Sequence, residues 1–166
     1  MIEAEAIGRR IAEMAPEIVA ALGEDFVMVV LLKGAFVFAA DLLRALGRAG
    51  AHPRVEFLQL SSYGMARDSS GTVRRLNDLP AVAGKRVLVV DDVLDTGRSA
   101  AYAARELSGA GASLVRLCVL LDKPRRRAVD IAADHVGFTI PDRFVVGYGI
   151  DCAELWRELS GVEALD

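Results

Sequence analysis

Apolar positions along the chain follow two rhythms. Ile7, Ile11, Met14, Ile18 and Leu22 recur every three or four residues. That spacing predicts an amphipathic helix, with Pro16 expected to kink or split it. Phe26 to Leu32 is an unbroken apolar run, the mark of a strand covered on both faces. A helix over Phe36–Leu46 follows, closed by Gly47. Further strands are predicted at Val55–Leu60, Val87–Val90 and Leu114–Leu121, with short extended pieces at Val136–Phe138 and Phe144–Val146. An alanine-rich helix is expected over Ser99–Leu107, and a short terminal helix over Ala153–Leu159. Buried strands alternating with helices predict an α/β fold, a mostly parallel sheet with helices on both faces. Ser61–Pro80 breaks the rhythm. It is polar and contains glycine, and a structureless loop of about twenty residues in a compact domain is often a lid; a surface insertion is the plainer alternative.

With 166 residues and 53% hydrophobic side chains, the chain suits a single domain over 1–166 with a sizeable core. A net charge of −3 argues against duplex nucleic acid as a partner, which requires clustered positive charge. Cys118 and Cys152 form no CxxC pair and too small a set for structural zinc; a reducing, cytoplasmic setting fits. The apolar stretch from Phe26 to Leu43 is interrupted by Lys33 and Asp41, short of the roughly 20 nearly uncharged residues of a bilayer span. No membrane association is expected, and the acidic N-terminus is unlike a secretory signal.

The richest chemistry lies in Val87-Leu-Val-Val-Asp91-Asp92-Val-Leu-Asp95-Thr96-Gly97-Arg98-Ser99. A buried strand delivers two adjacent carboxylates at its carboxyl end, where open α/β sheets bind ligands. A short loop and a helix start follow. Backbone N–H groups, the Thr96 and Ser99 hydroxyls and the positive end of the helix dipole suit a phosphate, and Gly97 lets the backbone approach closely. Two carboxylates would repel a bare phosphate. They make sense if the ligand also presents hydroxyls or brings Mg²⁺, which takes one or two carboxylates plus ligand oxygens. A pentose 5-phosphate meets both conditions.

This string resembles the phosphoribosyl-pyrophosphate signature of the type I phosphoribosyltransferases. Leu32-Lys33-Gly34, Ser62-Tyr63, Leu121-Asp-Lys123, Val136-Gly-Phe138 and Ile140 through Asp151 occur in the order and spacing of the hypoxanthine-guanine phosphoribosyltransferases. The resemblance runs from about Val27 to Leu159. It implies the type I fold: a central, mostly parallel sheet flanked by helices, a flexible lid at about 61–80, and a small base-binding hood built from the N-terminal segment and about 123–166. It also implies transfer of ribose 5-phosphate from phosphoribosyl pyrophosphate to N9 of hypoxanthine or guanine, with Mg²⁺, in a homodimer or homotetramer.

By the same resemblance, Asp91 and Asp92 hold the ribose hydroxyls, directly or through Mg²⁺. Asp95 faces N7 of the purine as proton acceptor. Asp95, Thr96, Gly97, Arg98 and Ser99 wrap the 5-phosphate. Lys33 and Gly34 form the pyrophosphate loop, which in the family contains a non-proline cis peptide, and Arg157 reaches the pyrophosphate as well. Lys123 donates to the 6-oxo group, Phe144 stacks on the ring and Val145 offers its backbone to the base edge. Asp151 binds a second Mg²⁺, and Ser62 and Tyr63 sit in the lid. Ala35 stands where the family often has a second glycine, and Asp91 where it frequently has Glu.

Blander roles are available for several of these residues. Phe144, before two valines, would ordinarily be core, and Asp151 would cap the terminal helix. Arg125-Arg126-Arg127 reads as a solvated turn face. His52 and His135 read as structural, and Trp156 as packing for the last helix. Two other functions share parts of the pattern. A nucleotide-sensing RNA- or DNA-binding regulator on the same scaffold would carry a broad basic face, which this chain lacks. A phospho-receiver domain would need more strand–helix units after Asp92 than the remaining residues supply.

Overall fold

The computed structural model describes residues 2–63 and 72–165, with the backbone only at Ser62 and Tyr63. Its elements are α1 (Ala4–Leu22), β1 (Val27–Leu32), α2 (Phe36–Arg48), β2 (Arg54–Tyr63), β3 (Thr72–Arg75), β4 (Arg86–Leu94), α3 (Arg98–Gly109), β5 (Leu114–Asp122), a 3-10 turn (Pro124–Arg126), β6 (His135–Thr139), β7 (Phe144–Val146) and β8 (Glu163–Leu165). The main sheet has the order β3-β2-β1-β4-β5-β6. Its strands are parallel except β3, which runs antiparallel to β2. β7 and β8 form a separate antiparallel pair.

Side-chain alternation along the strands builds two cores. Met28 and Val30 of β1, with Leu88 and Val90 of β4, pack with Ile7, Met14 and Ile18 of α1 and Phe38 and Leu42 of α2. Val27, Val29 and Leu31, with Val87 and Val89, pack with Ala100, Ala103 and Leu107 of α3 on the opposite face. Both faces of β1 and β4 are therefore dry, and this explains their unbroken apolar runs. The chain winds outward from the β1–β4 pair in both directions. The carboxyl ends of these two strands thus flank the topological switch point, where open sheets hold their ligands.

Several expectations need correction. α1 runs unbroken through Pro16. Pro16 and Ala12 are both exposed, so the Ala12 carbonyl that loses its helical donor is on the wet side, and the apolar face packs regardless. α2 passes Gly47 and ends at Arg48, with Gly50 turning the chain at φ 92°. β4 extends past the acidic pair to Leu94.

The segment from Ser61 is not a bare loop. β2 reaches Tyr63, and β3 pairs back on it from Tyr63↔Thr72 to Leu60↔Arg75; residues 64–71 of the expected lid lie outside the described residues. No terminal helix forms over 153–159. The chain turns there, with Ala153, Glu154 and Trp156 all at positive φ, and Trp156 is 46% exposed instead of packed. β8 is too short to leave a pattern in the sequence. It closes the chain against β7, and Ile2 bridges Val162 beside it.

Candidate active site

A cleft of about 220 Å³ opens at the switch point, lined by Leu31 and Leu32 of β1, Leu60 of β2, Asp91 to Leu94 of β4, and Asp95, Thr96, Gly97, Ser99 and Ala100. A wider groove of about 650 Å³ lies between α1, α2 and the C-terminal segment. It presents none of the loop amides or paired carboxylates, so the chemistry concentrates in the smaller cleft.

β4 carries Asp91 into the cleft floor, 9% exposed. Burial, and then the neighbouring Asp92 charge, push its carboxyl well above the usual range. The Asp92 N–H donates to Asp91 Oδ1 at 3.0 Å. Two crowded carboxylates of this kind are poised for hydroxyl donors or a cation. Among the described residues no cluster of three or more acidic, His or Cys side chains could cage a metal by itself.

The loop after β4 turns sharply into α3, with Gly97 at φ 82° in the N-cap position. Thr96 Oγ1 accepts a long bond from the Arg98 N–H, 3.5 Å. Arg98 lines a separate groove with Tyr102 and Arg105. Asp95 Oδ1 sits 3.1 Å from Arg126 Nε, and Arg126 also reaches Asp142 at 3.6 Å.

The arginine run is a solvated face at Arg125 and Arg126, which are exposed, but not at Arg127. Arg126 pairs with Asp95, and its guanidinium is held more firmly protonated by that bond. Arg127 turns inward to the carbonyls of Leu94 and Asp95 and to Asp122. A turn reads as solvated when its partners are distant in sequence, and those of Arg127 lie up to 33 residues away.

The second cluster gathers Lys33, Asp151 and Arg157. The Leu32–Lys33 peptide is cis. Lys33 Nζ meets both oxygens of Glu154, at 2.9 and 3.0 Å. Arg157 Nη2 lies 2.9 Å from Asp151 Oδ1 and 3.2 Å from Glu154 Oε2, and its Nη1 donates to the Gly149 carbonyl at 2.8 Å. Bonds from Lys33 and Arg157 lower the Glu154 carboxyl. Sequence reasoning missed Glu154. Asp151 caps the Glu154 N–H at 2.8 Å, in a turn and not in the expected helix.

The two clusters touch through Gly34, where an added Cβ would lie 2.0 Å from Asp92 Oδ2. Gly149 closes on the same loop: its Cβ would be 2.5 Å from the Gly34 carbonyl. Ala35, in place of a second glycine, is fully buried as α2 begins.

At the end of β5, Lys123 is 7% exposed, and its N–H bonds the Leu94 carbonyl at 3.1 Å, tying it to the cleft. Among the described residues its ammonium forms no ion pair, and its Nζ is not sealed from solvent. Phe144 is 57% exposed while Val145 is buried, so the aromatic ring is not core but a free face. Ser62 and Tyr63 lie on the β2–β3 ribbon, their side chains outside the described residues. His52 is exposed; His135 is buried with Nε2 unpartnered.

Comparison with known proteins agrees with this arrangement. The family model described as "Phosphoribosyl transferase domain" matches residues 1–153. The chain is 46% identical over 165 residues to the hypoxanthine-guanine phosphoribosyltransferase of Aquifex aeolicus, covering 98% of this chain and 91% of that protein. The crystal structure of a Bacillus anthracis hypoxanthine-guanine phosphoribosyltransferase superimposes with a TM-score of 0.92 at 39% identity, covering 100% of this chain and 97% of that one. The Trypanosoma cruzi hypoxanthine phosphoribosyltransferase in complex with the product IMP gives 0.92 at 36% identity, covering 100% and 92%.

Proposed function

The chain belongs to the phosphoribosyl transferase domain family, and from that premise we propose that it is a purine-salvage enzyme, transferring ribose 5-phosphate from phosphoribosyl pyrophosphate to N9 of hypoxanthine or guanine. The products are IMP or GMP and pyrophosphate. The observation that carries this reading is the cleft itself, where a buried acidic pair runs directly into a glycine-turned loop of amides.

In the reaction the bond from C1 to the pyrophosphate oxygen breaks, the bond from C1 to N9 forms, and the base loses one proton. Amides of the loop from Asp95 to Ser99 hold the 5-phosphate at the start of α3. Asp91 and Asp92 would receive the ribose diol and one Mg²⁺, and Asp151 would hold a second once its carboxylate is released from Arg157. When bound, Mg²⁺ neutralises the charge that builds on the leaving pyrophosphate. Lys33 and Arg157 add positive charge on the same side, exchanging Glu154 for pyrophosphate oxygens. Asp95 accepts the proton of the base at N7 once its carboxylate is released from Arg126. Phe144 stacks on the purine, a contact worth about 1–3 kcal/mol and tolerant of base identity. Lys123 supplies selectivity: its ammonium, lacking a partner within the described residues, pairs with a 6-oxo group and is left unpaired by adenine. Ser62, Tyr63 and the ribbon they belong to cover the cleft, so that the sugar cation meets the base and not water.

No described helix is long and apolar enough to cross a membrane. Both cysteines are free, as a reducing setting would keep them. The decisive assay offers the protein Mg²⁺ and phosphoribosyl pyrophosphate with each of the four purine bases, hypoxanthine, guanine, xanthine and adenine. Nucleotide should form from hypoxanthine and guanine. Formation from none of the four would refute the enzyme.

A further inference from the structure

We propose that Arg127 is a positioning residue for the phosphate loop: anchored on Asp122, it pins the loop's carbonyls from behind so that the loop's amides face the cleft. The inference rests on reading residues 95–99 as the sugar-phosphate loop.

The Arg127 side chain is only 15% exposed. Nη1 donates to the carbonyls of Leu94 at 2.7 Å and Asp95 at 2.5 Å, Nε to that of Ile131 at 3.2 Å, and Nη2 to the Asp122 carboxylate. A planar guanidinium with five fixed donors can serve all four acceptors at once, and a lysine ammonium cannot. The next residue continues the clamp, since the Ala128 N–H donates to the Thr96 carbonyl at 2.9 Å. Two successive carbonyls, of Asp95 and Thr96, are therefore drawn toward residues 127 and 128.

In a trans peptide the C=O and N–H point in opposite directions. The amides of the same two peptides, the N–H groups of Thr96 and Gly97, consequently face away from the arginine segment. Among the described residues neither has a hydrogen-bond partner, and both residues line the cleft. Gly97 adopts the left-handed conformation that lets successive amides converge on an anion. The loop rests directly on its support: a Cβ at Gly97 would meet Ile131 Cγ2 at 2.5 Å and Arg127 Cδ at 3.0 Å. Arg127 lies four residues after Lys123 and braces the phosphate loop, so one short segment serves both ends of the nucleotide.

The test measures binding of ribose 5-phosphate by calorimetry, and KM for each substrate, in Arg127→Ala and Arg127→Lys. Ribose 5-phosphate affinity should fall roughly ten- to a hundredfold, as expected when a misplaced support shifts a site by about an ångström. KM for phosphoribosyl pyrophosphate should rise with it, while KM for the base changes less than about twofold. If the alanine variant does not fold, the lysine variant decides. Arg10→Ala is the control for a merely structural arginine, since Arg10 binds the Gly137 and Val136 carbonyls at 3.2 and 3.0 Å in β6. It should lose stability and keep its ribose 5-phosphate affinity. Arg127→Lys binding ribose 5-phosphate as tightly as the unaltered protein would overturn the inference alone. A folded, unaltered protein that does not bind ribose 5-phosphate would overturn the reading of the loop and the inference with it.

Discussion

At the scale of single residues, most charges of the site are paired with one another, Lys33 with Glu154, Asp95 with Arg126 and Asp151 with Arg157. Lys123 is buried without an ion pair among the described residues, and it should govern which base is accepted. In Lys123→Ala the preference for hypoxanthine over adenine should fall by at least about tenfold, because sites that bond a polar group reject analogues lacking it by far larger factors. Equal preference in variant and parent, measured as a ratio of kcat/KM, would remove Lys123 from that role. Glu154 carries the opposite expectation. It occupies both Lys33 and Arg157, so Glu154→Gln should strengthen product inhibition by pyrophosphate. The gain should be modest, about severalfold, since exposed ion pairs contribute on the order of 1 kcal/mol or less; weaker inhibition would contradict the displacement. The carboxylates of Asp91 and Asp92 could be recognised from their neighbours in sequence. Glu154 could not, because its partners lie up to 121 residues away and nothing local distinguishes it from a surface glutamate.

At the scale of elements, the site depends on close approach between segments. Gly34→Ala should leave the fold intact, because the atoms nearest the new Cβ belong to the short Asp92 side chain and not to backbone. It forces that carboxylate off its position, and KM for phosphoribosyl pyrophosphate should rise while KM for the base stays level; a shift in neither would show that Asp92 has another home. β6 carries a second consequence. Burial lowers the His135 imidazole from its usual 6.5; Asp134 and Glu17 oppose this, and Arg116 and Arg10 assist it. A folded-state value below the unfolded one means that the unfolded chain takes up the proton first, so stability is fullest above about 6.5 and falls as pH drops below it. Urea unfolding at about pH 7.5 and about pH 5.5 should show this fall in the parent and a smaller one in His135→Phe, which also removes the unpartnered Nε2. An equal fall in both proteins would place the titrating group elsewhere.

At the scale of the whole molecule, the two cores fix β1 and β4 side by side and so create the cleft. Phe38→Ala, at a fully buried position in the α1–α2 core, should cost about 3–5 kcal/mol in chemical denaturation without changing the ratio of substrate KM values; a selective KM change would mean that the core tunes the site. A homodimer or homotetramer is the proposed assembly, and sedimentation should return two or four times the mass of the 166-residue chain; a monomer would refute it. The amino-acid sequence by itself determined the parallel α/β class, the acidic strand end and the glycine-turned loop. Those features are local: they are written in runs of apolar residues and in neighbours a few positions apart. Only the tertiary structure decided that Pro16 stays within one helix, that residues 153–159 turn instead of coiling, and that Arg127 faces inward. In each case a distant partner, the core for α1, Lys33 for Glu154 in the 153–159 turn and the Leu94 and Asp95 carbonyls for Arg127, opposes local propensity, and such partners meet only when the fold is assembled.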